Sequence, residues 1–132
     1  DKNELTGRVN DMLLRVGLDE TYARRRPSQL SGGQRQRISI AAALIARPRL
    51  IIADEPLSAL DVTIQAQIMK LLLELKNEFG LTYIFISHDI DVVYQMCDRI
   101  MVMKDGHVIE NGETEELFSD PKEAYTRQLI EG

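Results

Sequence analysis

Two short apolar runs flank one long amphipathic pattern, and that order limits the folds open to this chain. Leu50-Ile51-Ile52-Ala53 lies between turn signals and reads as a buried strand. Asp61 is a good N-cap for the segment that follows, and Gly80 is a good stop for it. Between them Ile64, Ile68, Leu71, Leu72 and Leu75 fall on one helical face. Thr82 to Ile86, rich in β-branched and aromatic residues, reads as a second buried strand. Strand, helix, strand in this order predicts an α/β layered fold, with parallel strands and flanking helices.

The flanks are read the same way. Leu5, Val9, Met12, Leu13 and Val16 recur at helical spacing and Gly17 ends the pattern. A short second helix is expected over Glu20 to Arg26, stopped by Pro27. Ser31 opens the next helix, which runs to about Ala46, and Ser31-x-x-Gln34 has the form of a capping box. Arg47-Pro48 closes it. After the second strand a helix is expected from Ile90 to Met96. Arg99 to Lys104 and His107 to Glu110 then flank Asp105-Gly106, a strong hairpin signal. Asp120-Pro121 is expected to start the last helix, carrying Ala124, Tyr125, Leu129 and Ile130.

Composition narrows the function classes. A length of 132 residues suits one domain with a real core. A net charge of −5 provides no global field for nucleic acid or an anionic membrane. Arg24-Arg25-Arg26 is a local exception and reads as a solvated helix end. The single cysteine, Cys97, excludes an internal disulfide and a multi-cysteine metal site, and its setting suggests a packed thiol. No apolar run is long enough to span a bilayer, so a membrane role is expected to run through partners.

Chemistry concentrates at element ends. A helix N-terminus offers free backbone N–H groups and the positive end of the dipole. At Ser31-Gly32-Gly33-Gln34 two glycines let a phosphate approach without a Cβ in the way, and the Ser31 hydroxyl adds a donor. Taken alone, Ser-Gly-Gly is equally a capped helix after a turn. Leu50 to Ala53 ends in Asp54-Glu55, and open α/β sheets place ligand groups at strand C-terminal ends. Adjacent acids on extended backbone point to different sides and can hold different roles. A solvated acidic loop would explain the acids, but not the apolar strand before them or Pro56 after them. His88 follows the second strand in Ile86-Ser87-His88-Asp89. His107, in the hairpin, is given no function.

In this order, Leu30-Ser31-Gly32-Gly33-Gln34, Asp54-Glu55-Pro56, Ser58-Ala59-Leu60-Asp61 and Ser87-His88-Asp89 resemble the ATP-binding subunits of ABC transporters. Ser58 to Ile68, and Asp120-Pro121 followed by Ala124-Tyr125-Thr126, resemble the peptide/nickel importer branch. The resemblance implies part of a P-loop NTPase fold. Residues 1–47 would form a helical subdomain with the signature helix. Residues 48–132 would form the remainder of a RecA-like core, with a C-terminal hairpin and helix. It implies ATP and Mg²⁺ as cofactors. By resemblance, Ser31, Gly32, Gly33 and Gln34 form the signature motif, which contacts the γ-phosphate of ATP held by the opposite subunit. Asp54 holds Mg²⁺ through water, Glu55 is the general base, and His88 is the switch histidine at the γ-phosphate. Asp61 belongs to the loop that crosses the dimer interface, in addition to capping its helix.

The implied partners are a second ATP-binding subunit and transmembrane permease subunits, with no nucleic acid. The implied location is cytoplasmic, on the inner face of the cell membrane. The phosphate loop G-x-x-x-x-G-K-[ST] does not occur in residues 1–132, and the resemblance places it before Asp1. Its strand would lie between Thr82–Ile86 and Arg99–Met103. The isolated chain is therefore expected to lack ATPase activity, and to close that gap by strand rearrangement or by pairing with a second copy. Two other readings remain open at this level: a non-catalytic module that only binds a partner, and a soluble ABC ATPase unconnected with transport.

Overall fold

The computed structural model describes residues 1–132. They form two compact units, Asp1–Ile84 and Phe85–Gly132.

In the first unit, helix α1 (Lys2–Arg15) is capped by the Asp1 carboxylate, which accepts from the Asn3 N–H at 3.1 Å. The chain leaves α1 through Gly17, at φ +83, and Leu18 N–H returns to the Leu13 carbonyl at 2.8 Å. The helix expected over Glu20 to Arg26 is instead a 3₁₀ turn over Glu20–Arg24. Arg26 precedes Pro27 and is held extended (φ −84, ψ 152), so the coil cannot continue. Helix α2 (Gly32–Leu44) starts at the expected capping box and is shorter than expected at its far end. The Arg37 guanidinium donates to the Val16 carbonyl at 2.7 Å and ties α2 to the end of α1.

Strand β1 (Leu50–Asp54), helix α3 (Val62–Phe79) and strand β2 (Thr82–Ile86) follow in the expected order, but the expectation that both strands are buried is corrected: only one face of the pair is covered. Gly80 takes the left-handed conformation (φ 63) that ends α3. Ile68, Leu71, Leu72 and Leu75 of α3 are buried. β1 and β2 are neighbours in a parallel two-stranded sheet. One sheet face packs. The Tyr83 hydroxyl donates to the Leu72 carbonyl at 2.8 Å, and burial pushes its pKa up to about 12. The other face is open: Leu50, Ile52 and Ile84 are 48%, 64% and 45% exposed.

The second unit contains helix α4 (Ile90–Met96) and the antiparallel pair β3 (Arg99–Lys104) and β4 (His107–Glu113). Asp105 (φ 51) and Gly106 (φ 79) supply the two left-handed residues that a tight hairpin requires. A bulge interrupts the ladder between Val102 and Met103. Ile100, Val102 and Leu117 form the core, with Val93, Cys97, Phe118 and Tyr125 packed against it, so the packed-thiol reading of Cys97 holds.

Two expectations for this region are corrected. Helix α5 (Thr114–Ser119) was not foreseen, and β4 extends past Glu110 into its start. Helix α6 (Ala124–Glu131) begins beyond Pro121, with Glu123 at its N-cap. The Glu110 carboxylate accepts from the Lys122 N–H at 2.8 Å and the Glu123 N–H at 3.1 Å, just ahead of α6. The expected closure of β2 onto β3 by strand rearrangement does not occur, since the two strands belong to different sheets.

Candidate functional site

The signature segment is built from local hydrogen bonds. Ser31 Oγ accepts from the Gln34 N–H at 3.2 Å, and Gln34 Oε1 accepts from the Ser31 N–H at 3.0 Å. The other end of the Gln34 amide donates to the Tyr22 hydroxyl at 3.0 Å, and the Arg25 guanidinium lies over the Tyr22 ring at 4.0 Å. Both ends of Gln34 are thus engaged within the chain, which makes it a support for the loop. The first turn of α2 contains no acidic residue, so nothing on the helix offsets its positive end. Ser31 and Gly32 are exposed there, whereas Gly33 is buried.

Gly33 is glycine for an intramolecular reason as well. A Cβ at this position would stand 2.8 Å from Ile64 Cγ2, on α3. A Cβ at Gly32 would stand 3.2 Å from Leu60 Cδ2. The N-terminus of α2 therefore rests on the segment that joins β1 to α3.

That segment begins with the candidate acids. Asp54 ends β1 and is exposed; Glu55 is half-buried and leaves the strand in the left-handed region, at φ 49. A non-glycine residue there carries backbone strain, which folded proteins concentrate at functional positions. Pro56 and Leu57 turn inward and are buried. Ser58 Oγ donates to the Glu55 carbonyl at 3.2 Å, and Ala59 is again left-handed, at φ 63. Asp61 caps α3, accepting from the Ile64 N–H at 2.8 Å.

His88 lies in the second unit, exposed, in the three-residue link between β2 and α4. Its neighbours are fixed. The Asp89 N–H donates to Ser87 Oγ at 3.0 Å, and the Asp89 carboxylate accepts from the Asp91 and Val92 N–H groups. The structure thus gathers Ser31, Gly32, Gly33, Gln34, Asp54, Glu55 and Asp61 in one unit and His88 in the other.

Three residues that support this site were not read from the sequence: Tyr22, Ile64 and Gln65. The Gln65 amide donates to the carbonyls of Leu57 and Leu60. A glutamine in the first turn of a helix gives a weak hint of such a role, and a buried glycine neighbour gives none.

No group of three or more His, Cys, Asp or Glu side chains could hold a metal. Mg²⁺ does not need such a group: it keeps several waters, takes phosphate oxygens and needs only one or two carboxylates. Asp54 provides such a carboxylate. No helix is long and apolar enough to cross a membrane.

The family model described as ABC transporter matches residues 1–58. The chain is 52% identical over 130 residues to the oligopeptide transport ATP-binding protein AppF of Bacillus subtilis (strain 168), covering 98% of this chain and 39% of that one. It is 48% identical over 123 residues to the dipeptide transport ATP-binding protein DppF of Haemophilus influenzae, covering 93% and 38%. Among solved structures, cbiO1 of Clostridium perfringens, part of the cbiONQ ABC transporter complex, is 40% identical, with a TM-score of 0.78 over 91% of this chain and 47% of that one. The ADP conformation of MJ1267, an ATP-binding cassette of an ABC transporter, is 31% identical, with a TM-score of 0.79 over 96% and 49%. The chain therefore spans less than half the length of each of these relatives. Over nearly all of its length the chain is similar to ABC transporter ATP-binding proteins.

Proposed function

We propose that the full-length protein containing this chain is an ATP-hydrolysing subunit of an ABC importer for peptides. One observation carries the reading. The helix start at Ser31, the acids Asp54 and Glu55, and the turn leading to Asp61 lie in one compact unit. What packs is Gly32 on Leu60 and Gly33 on Ile64, which sets the α2 start on the stretch that follows Asp54 and Glu55, in a chain about half identical to peptide transport ATP-binding proteins. Two copies would close over two ATP molecules, each with Mg²⁺. The phosphate-cradling loop would come from residues outside 1–132. The magnesium ion would offset charge on the phosphates, with Asp54 holding it through water.

The remaining roles fall to side chains of this chain. Glu55 orients the attacking water and accepts its proton as the oxygen bonds to the γ-phosphorus and the bond to ADP breaks. His88 donates to the γ-phosphate. Ser31 and the positive end of α2 bind the γ-phosphate held by the other copy. Permease subunits would link the pair to the membrane, on its cytoplasmic side.

The test is MgATP hydrolysis by the full-length protein and its Glu55→Gln variant. Gln keeps the shape of Glu but cannot accept the proton. Hydrolysis is expected to fall at least about 100-fold, while ATP binding survives and an ATP-loaded dimer accumulates. Turnover near that of the wild type would remove Glu55 as the base and the reading with it.

A further inference from the structure

The segment between β1 and α3 has few backbone ties of its own. Ser58 N–H reaches the Glu55 carbonyl at 3.3 Å and Leu60 N–H the Leu57 carbonyl at 3.4 Å, both long for such bonds. Two of its residues, Glu55 and Ala59, are non-glycine residues in the left-handed region. A turn so strained and so weakly bonded would sample several shapes if left alone. Besides the Ser58 hydroxyl on the Glu55 carbonyl, one side chain from α3 ties it. Gln65 Nε2, on the first turn of α3, donates to the Leu57 carbonyl at 3.2 Å and to the Leu60 carbonyl at 3.0 Å, in a half-buried setting. The two amide hydrogens thus bracket the turn at both ends.

The same turn supports the signature helix. Leu60 Cδ2 stands against Gly32, and Ile64 Cγ2 against Gly33, at distances that leave no room for a Cβ at Gly33. A shift of Leu60 therefore moves the floor under the α2 N-terminus. We propose that Gln65 is a positioning residue whose amide clamps residues 57–60, and so sets how the turn and Ser31 are presented together to the second copy. This deepens the function proposed above and rests on it. Gln65 acts through the carbonyls it holds.

Two variants separate the clamp from simple packing. Gln65→Leu keeps the bulk and loses both donors. Gln65→Lys returns N–H donors to the same place. Both are made in the full-length protein, with Glu55→Gln as the reference for hydrolysis. The first readout needs no activity: backbone amide exchange of Ser58, Ala59 and Leu60 without nucleotide. Gln65→Leu is expected to speed it about 10-fold while the α3 amides from Ile68 onward keep their protection. The second readout is kinetic. Gln65→Leu is expected to lower kcat roughly 10-fold with KM for MgATP within about 2-fold, because the two copies pair poorly around a normally bound nucleotide. Gln65→Lys is expected to recover most of both.

Unchanged exchange in Gln65→Leu would overturn the clamp, whatever the kinetics. Faster exchange with unchanged kcat would overturn its role in presenting the turn. Failure of the wild type to hydrolyse ATP above the Glu55→Gln reference would overturn the function proposed above, and the kinetic role of Gln65 with it. The exchange arm would still decide whether the clamp exists.

Discussion

Gly33 and Ile64 are in such close contact that a methyl group on Gly33 would stand 2.8 Å from Ile64 Cγ2. The pair fixes how near α2 and α3 approach. Gly33→Ala is expected to destabilise the protein by about 1–2 kcal/mol even without nucleotide, the overpacking cost exceeding the helix propensity gained. Ile64→Ala removes the obstructing Cγ2, so the double variant should cost less than the two single changes added together. Urea denaturation of the four proteins in the cycle checks this. Additive losses would place the clash elsewhere. One consequence is practical: an acidic residue at position 33 would disturb packing as well as phosphate, so Ser31 is the cleaner position for tests of nucleotide contact.

Ala59 is the simplest measure of the strain beside Glu55. At φ 63 it sits where glycine is favoured and alanine costs about 1 kcal/mol. Ala59→Gly is expected to raise stability by about 0.5–1 kcal/mol in denaturant titration. A loss of stability would mean that the left-handed turn is not the state adopted in solution.

Gln34 is engaged at both ends, by Ser31 N–H and by the Tyr22 hydroxyl. Gln34→Ala should cost about 1–2 kcal/mol through the lost capping box and the orphaned phenol. Tyr22→Phe should cost about 1 kcal/mol and leave the cap intact. Equal stability of wild type and Gln34→Ala would show that the amide is held by nothing in the chain.

Acid should loosen the start of α6. The Lys122 N–H, with the Glu123 N–H, favours the charged form of Glu110 and holds its pKa below the usual carboxylate range. A depressed folded-state pKa gives stability that is fully present above the unfolded value of about 4.3 and is lost as pH falls through the folded one. The Lys122 and Glu123 amide resonances are expected to move together over that acidic window. In Glu110→Ala the shared transition should vanish. A transition that persists there would belong to another carboxylate.

Features set by neighbours in the chain were legible in the sequence. The Ser31 capping box, the Asp61 cap, the left-handed Gly80 and the Asp105-Gly106 hairpin each depend on residues within a few positions. Features set by tertiary approach were not. Gly33 meets Ile64, 31 positions away, and nothing in either residue's surroundings announces it. The Glu110 carboxylate on β4, which accepts from the Lys122 and Glu123 N–H groups ahead of α6, lies at least 12 positions from them and is equally silent in the sequence. Among the candidate residues, the types and their order could be read. The strain at Glu55 could not, because a left-handed glutamate looks like any other glutamate in a sequence.

The central claim is that Ser31 and Glu55 of one copy serve different ATP molecules. The direct measurement mixes two inactive full-length variants, Ser31→Arg and Glu55→Gln, and follows phosphate release. A mixed pair would contain one site with an intact Glu55 from the first variant and an intact Ser31 from the second. Hydrolysis should therefore reappear on mixing, at a level well above either variant alone. If the mixture stays as inactive as its components, while wild-type subunits exchange freely under the same conditions, the two residues act in the same copy's site and the account is wrong.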